Sequence, residues 1–208
     1  MICAILLAAG RSQRMGAQKL LLPFGGRTVV GHIARQIARS PVDETLAVVS
    51  EDAPGIGEAL GDRAVTLVTN PDPEGDMLSS VRCGLRALPP DCEAVLVALG
   101  DQPSLTSELI GRMLRAFRAA GCGIVVPVHE GRRGHPLLFS TRYRREILTG
   151  YDQVGLRGLL GAHPEDLFEL RVTSPSVLAD MDTPEDYRRE IGKSPASRPT
   201  PRDPPKAP

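Results

Sequence analysis

Residues 2–10 read ICAILLAAG, and this stretch decides the fold. Ile2 to Ala8 is an unbroken apolar run that stops at Ala9-Gly10, the pattern of a central strand covered on both faces. Working outward, the same kind of run returns in EAVLVAL (93–99). Shorter strand-like runs appear in TLAVVS (45–50), AVTLVT (64–69) and GIVVPV (123–128). Helical patterns separate them. Val29, Val30, Ile33, Ala34, Ile37 and Ala38 recur at helical spacing within 28–40. A short helix is expected near 57–60, and another over 79–88, stopped by Pro89-Pro90. A third covers 106–120, with Glu108 near its start and Arg115 and Arg118 near its end, as the helix dipole favours. Strands alternating with helices in this way predict βαβ units and a mostly parallel sheet.

From residue 129 the pattern changes. A Gly/Arg loop (129–135) precedes PLLFS, followed by short helices near 142–148 and 155–161 and a strand near 167–172. The last helix is expected over 184–191, capped by Thr183 with Pro184 in its first turn. The segment from Lys193 onward holds 6 of the 19 prolines and almost no apolar bulk, so it is expected to be a disordered tail (193–208) after a single domain over 1–192.

Composition narrows the function. A chain of 208 residues buries about 70% of its unfolded surface and needs no covalent or metal staple. Lys plus Arg and Asp plus Glu are 25 each, so the formal net charge is zero, which argues against a nucleic-acid-binding module. Trp is absent and aromatics are 3%, which leaves little for base stacking. No run approaches 18 apolar residues and the start carries no basic leader, so neither membrane nor export is expected. Cys3, Cys83, Cys92 and Cys122 show no metal spacing and read as reduced thiols of a cytoplasmic protein.

In open parallel sheets, ligands bind beyond the carboxyl ends of the strands. The loop after the first strand, LAAGRSQRMGAQKLLLPFGG (7–26), offers Gly10 and Gly16 for close backbone approach and Arg11, Arg14 and Lys19 as cations. Its G-x5-G-x2-K spacing is neither a Walker A loop nor a dinucleotide fingerprint. Read alone, it is equally a solvated basic loop. Asp101 follows EAVLVAL and Gly100, where a carboxylate could meet a Mg²⁺–triphosphate or could cap the next helix. Asp180 and Asp182 sit in ADMDTPEDY; Thr183-Pro184 already serves as a cap there, which frees Asp182 for other work.

The string LAAGxSxRMGxxKLLLPxxG resembles the signature of the nucleotidyltransferases that attach a nucleotide to molybdopterin, and among them the molybdenum cofactor cytidylyltransferases. The resemblance continues through ALGDQP, RRGHPLLF and DMDTPEDY and covers nearly all of 1–192. It implies an α/β, three-layer, Rossmann-like nucleotidyltransferase fold with a mostly parallel central sheet. It also implies roles. Leu7, Ala8, Ala9 and Gly10 would line the base and ribose, with Ala9 in the place that separates CTP users from GTP users. Arg14 and Lys19 would hold the triphosphate and stabilise charge at the α-phosphorus. Asp101 and Asp182 would be the Mg²⁺ contacts, with Asp101 catalytic beside Arg14 and Lys19, and Asp180 structural.

Ser79 would contact the nucleotide, although Asp76 departs from the family's G-M-x-x-S pattern by separating Gly75 from Met77. Arg133 and His135 would face the acceptor, a phosphorylated pterin, while His32, His129 and His163 are expected to be structural. The implied activity is CMP transfer from CTP to the terminal phosphate of molybdopterin with release of pyrophosphate. A client molybdenum hydroxylase or its chaperone is the implied protein partner. Three other readings stay open: another donor or a sugar- or polyol-phosphate acceptor on the same scaffold, an oxidoreductase, and a non-catalytic cofactor-delivery protein.

Overall fold

The computed structural model describes residues 1–10, 18–51, 54–61, 65–72 and 74–193, the last by its backbone alone. Its strands are β1 (Ile2–Ala8), β2 (Pro23–Phe24), β3 (Arg27–Thr28), β4 (Glu44–Ser50), β5 (Val65–Asn70), β6 (Ala94–Leu99), β7 (Ile124–His129), β8 (Arg132–Arg133), β9 (Leu137–Ser140) and β10 (Leu167–Arg171). Its helices are α1 (Val29–Ala38), α2 (Ile56–Leu60), α3 (Met77–Arg86), α4 (Ser107–Ala120), α5 (Arg144–Thr149), α6 (Arg157–Ala162) and α7 (Pro184–Lys193). The main sheet runs β10-β7-β9-β6-β1-β4-β5, with β8 paired to β7, and β2 with β3 forms a separate small hairpin.

β1 lies parallel between β4 and β6, with Leu7 opposite Val48 on one side and Leu99 on the other. Helices cover both faces, and β1 alternates between them. Ile2, Ala4, Leu6 and Ala8 pack with α1, α4 and Met181, while Cys3 and Ile5 pack with α3, α5 and α6. Ile5 and Leu6 are fully buried on opposite faces, each contributing about 1.5–3 kcal/mol of apolar burial. The continuous apolar run at the start of the chain is therefore the middle strand of a three-layer α/β fold.

The sheet is mixed in one place. β9 inserts antiparallel between β6 and β7, and the loop expected over 129–135 contains β8. Glu130 (φ 48°) and Gly131 (φ 77°) form the two-residue connection, and positive φ at both positions is what a tight twisted hairpin needs. α3 begins at Met77, two residues before the expected start, because the Asp76 side chain caps it and accepts from the Ser79 amide at 2.8 Å. The unexpected Asp is thus a cap. α7 extends through Lys193 rather than ending at 191, and the rest of the Pro-rich tail, 194–208, lies outside the described residues.

Candidate active site

The carboxyl ends of β1 and β6 are held against each other at Gly100. Its amide donates to the carbonyl of Leu7 at 2.9 Å, and a Cβ there would stand 2.6 Å from that same oxygen. Glycine is what lets the chain turn away from β6 this close to β1. Asp101 follows, with its backbone carbonyl accepting from the Met181 amide at 3.1 Å. That bond brings the segment before α7 alongside. Gln102, buried, donates from Nε2 to Oδ1 of Asp180 at 2.7 Å, a second tie between the same segments.

Lys19 enters from a 3-10 turn, Lys19–Leu21, anchored by the buried Leu20. Its Nζ donates to Oδ2 of Asp101 at 2.6 Å and to Oδ1 of Asp182 at 2.9 Å. The ammonium is nearly covered, at 10% side-chain exposure, while Asp101 and Asp182 retain 22% and 45%. Burial alone would push the Lys19 pKa down; its two carboxylate partners outweigh that and hold it above the ordinary value. Lys19 is therefore a fixed cation, with carboxylates that reach solvent on its outer side. Thr183 accepts from the Asp186 amide at 3.2 Å, and Asp186 accepts in return from the Thr183 amide at 2.9 Å. This reciprocal cap leaves the Asp182 carboxylate on Lys19.

The other residues singled out from the sequence are distributed around this point. Leu7 and Ala8 end β1; Ala8 is buried, Leu7 and Ala9 are half-buried, and Gly10 is exposed with open space about it. Ser79 lies in the first turn of α3, where its hydroxyl accepts from Nδ2 of Asn70 at 3.0 Å. Arg11, Arg14 and Gly16 lie outside the described residues. Arg133 on β8 is not brought to the Lys19 cluster: its Nε pairs with Glu169 of β10 at 2.8 Å. His135 donates its amide to Val177 at 2.9 Å, and its Nδ1 is the one buried side-chain N or O without a partner among the described residues. Burial lowers the His135 pKa, opposed by Asp180 and Asp101 and assisted by Arg157. The remaining histidines have structural contacts: His32 stands edge-on to Phe24, His129 meets the Val172 carbonyl and His163 meets Glu146.

A hard divalent cation takes oxygen ligands, and magnesium commonly uses one or two protein carboxylates with waters and phosphate oxygens completing the shell. Asp101 and Asp182 match that donor set: two carboxylates, partly open to solvent, converging from separate segments. Among the described residues no group of three His, Cys, Asp or Glu that could hold a metal ion is found.

The model for the MobA-like NTP transferase domain matches residues 4–167. The chain belongs to this family. The MobA-like chain is similar to the molybdenum cofactor cytidylyltransferase of Escherichia coli K12, at 25% identity over 89% of this chain and 93% of the relative. It is also similar to the nicotine blue oxidoreductase of Paenarthrobacter nicotinovorans, at 29% identity over 90% and 95%. Among solved structures, Rv0371c from Mycobacterium tuberculosis H37Rv superposes with a TM-score of 0.82 at 27% identity, covering 92% of this chain and 97% of that one. A second structure of that protein is a manganese complex. Membership supports nucleotidyltransferase activity, and nucleotidyltransferases of this family generally use a divalent metal. No helix among the described residues is long and apolar enough to cross a membrane.

Sequence reasoning passed over two MobA-like residues that organise this edge, Gln102 and Asn70. Gln102 stands directly after Asp101 in the quoted GDQP string, yet nothing local shows that its partner lies 78 residues away. Asn70-Pro71 ends a strand and reads as a turn, although the Asn side chain is buried.

Proposed function

We propose that this protein transfers CMP from CTP to the terminal phosphate of molybdopterin, with Mg²⁺ as the metal. What supports the reading is the convergence of Lys19, Asp101 and Asp182, from three distant stretches of chain, where β1 and β6 end. A phosphate oxygen of the acceptor forms a new bond to the α-phosphorus of CTP, the bond from that phosphorus to the β-phosphate bridge breaks, and pyrophosphate leaves. The acceptor is a phosphate monoester with a second pKa of about 6, already largely ionised, so no strong general base is needed.

Lys19 supplies a fixed positive charge that need not reorganise as negative charge develops. Asp101 and Asp182 orient that ammonium and are the residues that would hold the metal. When bound, the divalent cation neutralises triphosphate charge. Arg14 completes the proposed triphosphate contacts; Leu7, Ala8, Ala9, Gly10 and Ser79 form the nucleotide side, and Arg133 and His135 the acceptor side. The Ala9 methyl narrows the base pocket in favour of a pyrimidine, worth about 1–3 kcal/mol of discrimination. The reaction belongs in the cytoplasm, with a molybdenum hydroxylase or its chaperone receiving the product.

Pyrophosphate release with Mg²⁺ and molybdopterin, compared across CTP, GTP and ATP, tests this reading. Release with CTP alone is expected. Release with GTP alone would keep the scaffold and mechanism but overturn the donor, and silence with all three would remove molybdopterin as acceptor. The nicotine blue oxidoreductase relative motivates one companion assay, in which cofactor-dependent absorbance change without pyrophosphate release would replace transfer by redox chemistry.

A further inference from the structure

α7 reaches all three chain segments that meet at Lys19. Asp182 and Thr183 lead directly into it, and their amides donate to Oδ2 of Asp186 at 3.2 and 2.9 Å. Glu190, buried, accepts from the hydroxyl of Ser104 in the loop that begins at Asp101. Tyr187, half-buried, donates from its hydroxyl to the Pro23 carbonyl at 2.7 Å, in the segment that follows Lys19. Tyr187 and Glu190 are one turn apart and so lie on the same side of the helix.

The helix is seated by packing as well. Tyr187 and Ile191 pack against the apolar cluster that contains Leu20, Leu105 and Met181, the neighbours in sequence of Lys19, Ser104 and Asp182. The Lys19 segment itself is a single 3-10 turn. Its bonds are local, from the Leu21 amide to the Gln18 carbonyl at 2.9 Å and from the Leu22 amide to the Lys19 carbonyl at 3.3 Å. A turn this short has little cooperativity of its own. Tyr187 supplies a tie from outside it, to the helix that Asp182 leads into.

We propose that Tyr187 is a positioning residue of the site, holding the Lys19 segment where one ammonium meets both carboxylates. Nζ stands 2.6 Å from Asp101 and 2.9 Å from Asp182, and a withdrawal of about 1 Å would take both contacts out of hydrogen-bond range. A site of this kind works only when its groups are held to within about 0.5 Å. This role is independent of which donor and acceptor the site serves. Lys19 is one of three lysines in the chain, with Lys193 and Lys206, so its covering can be read directly. The test is brief acylation of the full chain with acetic anhydride, with peptide masses giving the labelling of Lys19 relative to Lys206. Wild type, Tyr187→Phe and Tyr151→Phe are compared.

Tyr187→Phe keeps the ring and loses only the hydroxyl. Tyr151→Phe loses a comparable bond, to Glu146, on the opposite face of the sheet, and so reports general loosening. Lys19 should label more slowly than Lys206 in wild type, about 2- to 10-fold faster in Tyr187→Phe and at the wild-type rate in Tyr151→Phe. Unchanged Lys19 labelling in Tyr187→Phe overturns the assignment, as does an equal rise in Tyr151→Phe or a wild type in which Lys19 and Lys206 label alike. Where pyrophosphate is released, kcat in Tyr187→Phe should fall about as far as labelling rises, and a wild-type kcat would also overturn the role. A wild type that releases none removes the transferase reading and leaves Tyr187 to be judged by the labelling ratio.

Discussion

Gln102 donates a 2.7 Å hydrogen bond from its buried Nε2 to Oδ1 of Asp180 and so clamps the loop after β6 to the segment leading into α7. Together with the bond from the Met181 amide to the Asp101 carbonyl, this sets the spacing between Asp101 and Asp182. Gln102→Leu keeps volume but removes this tie, and the exposed Asp180 carboxylate returns to water. The expected cost is about 0.5–1.5 kcal/mol, read as a lower urea midpoint with unchanged slope. Turnover should fall as well, since the two carboxylates on Lys19 lose their register. A variant with wild-type stability and wild-type kcat would show that the clamp is dispensable.

Lys19→Ala leaves Asp101 and Asp182 facing one another without the ammonium between them. If Lys19 meets the triphosphate, transfer should drop by at least on the order of 100-fold while the far-ultraviolet circular dichroism spectrum stays native. Asp101→Ala should also abolish transfer on the same fold. Pyrophosphate release near the wild-type rate in either variant would remove these residues from the chemistry.

The central strands were legible because burial on both faces leaves a local mark: Ile2 to Ala8 and Ala94 to Leu99 are apolar at every position. The helix starting after Thr106 was equally plain, since its cap and its charge distribution are local. β8 was not legible. Two arginines in a two-residue strand have no apolar alternation, and the pairing comes from a turn at Glu130-Gly131 whose φ values the sequence only hints at. The antiparallel placement of β9 was hidden for a different reason, because PLLFS reads alike in either direction. At the site, Lys19, Asp101 and Asp182 were singled out one by one by motif. Their meeting around a single ammonium is a tertiary fact. The buried Asn70 amide escaped notice because Asn70-Pro71 has ordinary turn composition.

His32 offers a test of pH dependence away from the catalytic edge. Burial depresses its pKa, and Arg35, Arg27 and Arg39 depress it further, from an ordinary value of 6.5. The unfolded chain then binds a proton at mildly acid pH that the folded chain refuses. Stability from this residue is present above 6.5 and is lost as pH falls through the lower folded-state value. His32→Phe, which keeps a ring beside Phe24, removes that titration. Its urea-unfolding free energy should decline less than that of wild type between pH 7.5 and pH 5. Parallel pH profiles for the two proteins would contradict this account.

Asn70 ends β5 with every polar atom of its amide in use. Nδ2 donates to the hydroxyls of Ser79 and Ser80 at 3.0 and 3.1 Å, while Oδ1 accepts from the Asp72 amide at 3.1 Å and from the Cys83 thiol at 3.4 Å. Gly75 closes over this arrangement: a Cβ there would stand 2.7 Å from Ser79 Oγ and 2.8 Å from Asn70 Nδ2. The amide therefore sets the direction of the Ser79 side chain at the first turn of α3. Asn70→Asp replaces the donor by an acceptor, so the Ser79 and Ser80 hydroxyls must turn round to donate to it, which redirects the Ser79 side chain. If Ser79 contacts the nucleotide, the variant should raise the KM for CTP by about tenfold, the effect of one lost hydrogen bond of ~1.4 kcal/mol. The KM for the acceptor should stay constant. Ser79→Ala should reproduce the KM effect at a smaller stability cost, because it leaves Asn70 its bond to Ser80. Equal rises in both KM values in Asn70→Asp would instead mean that the loop had collapsed as a whole.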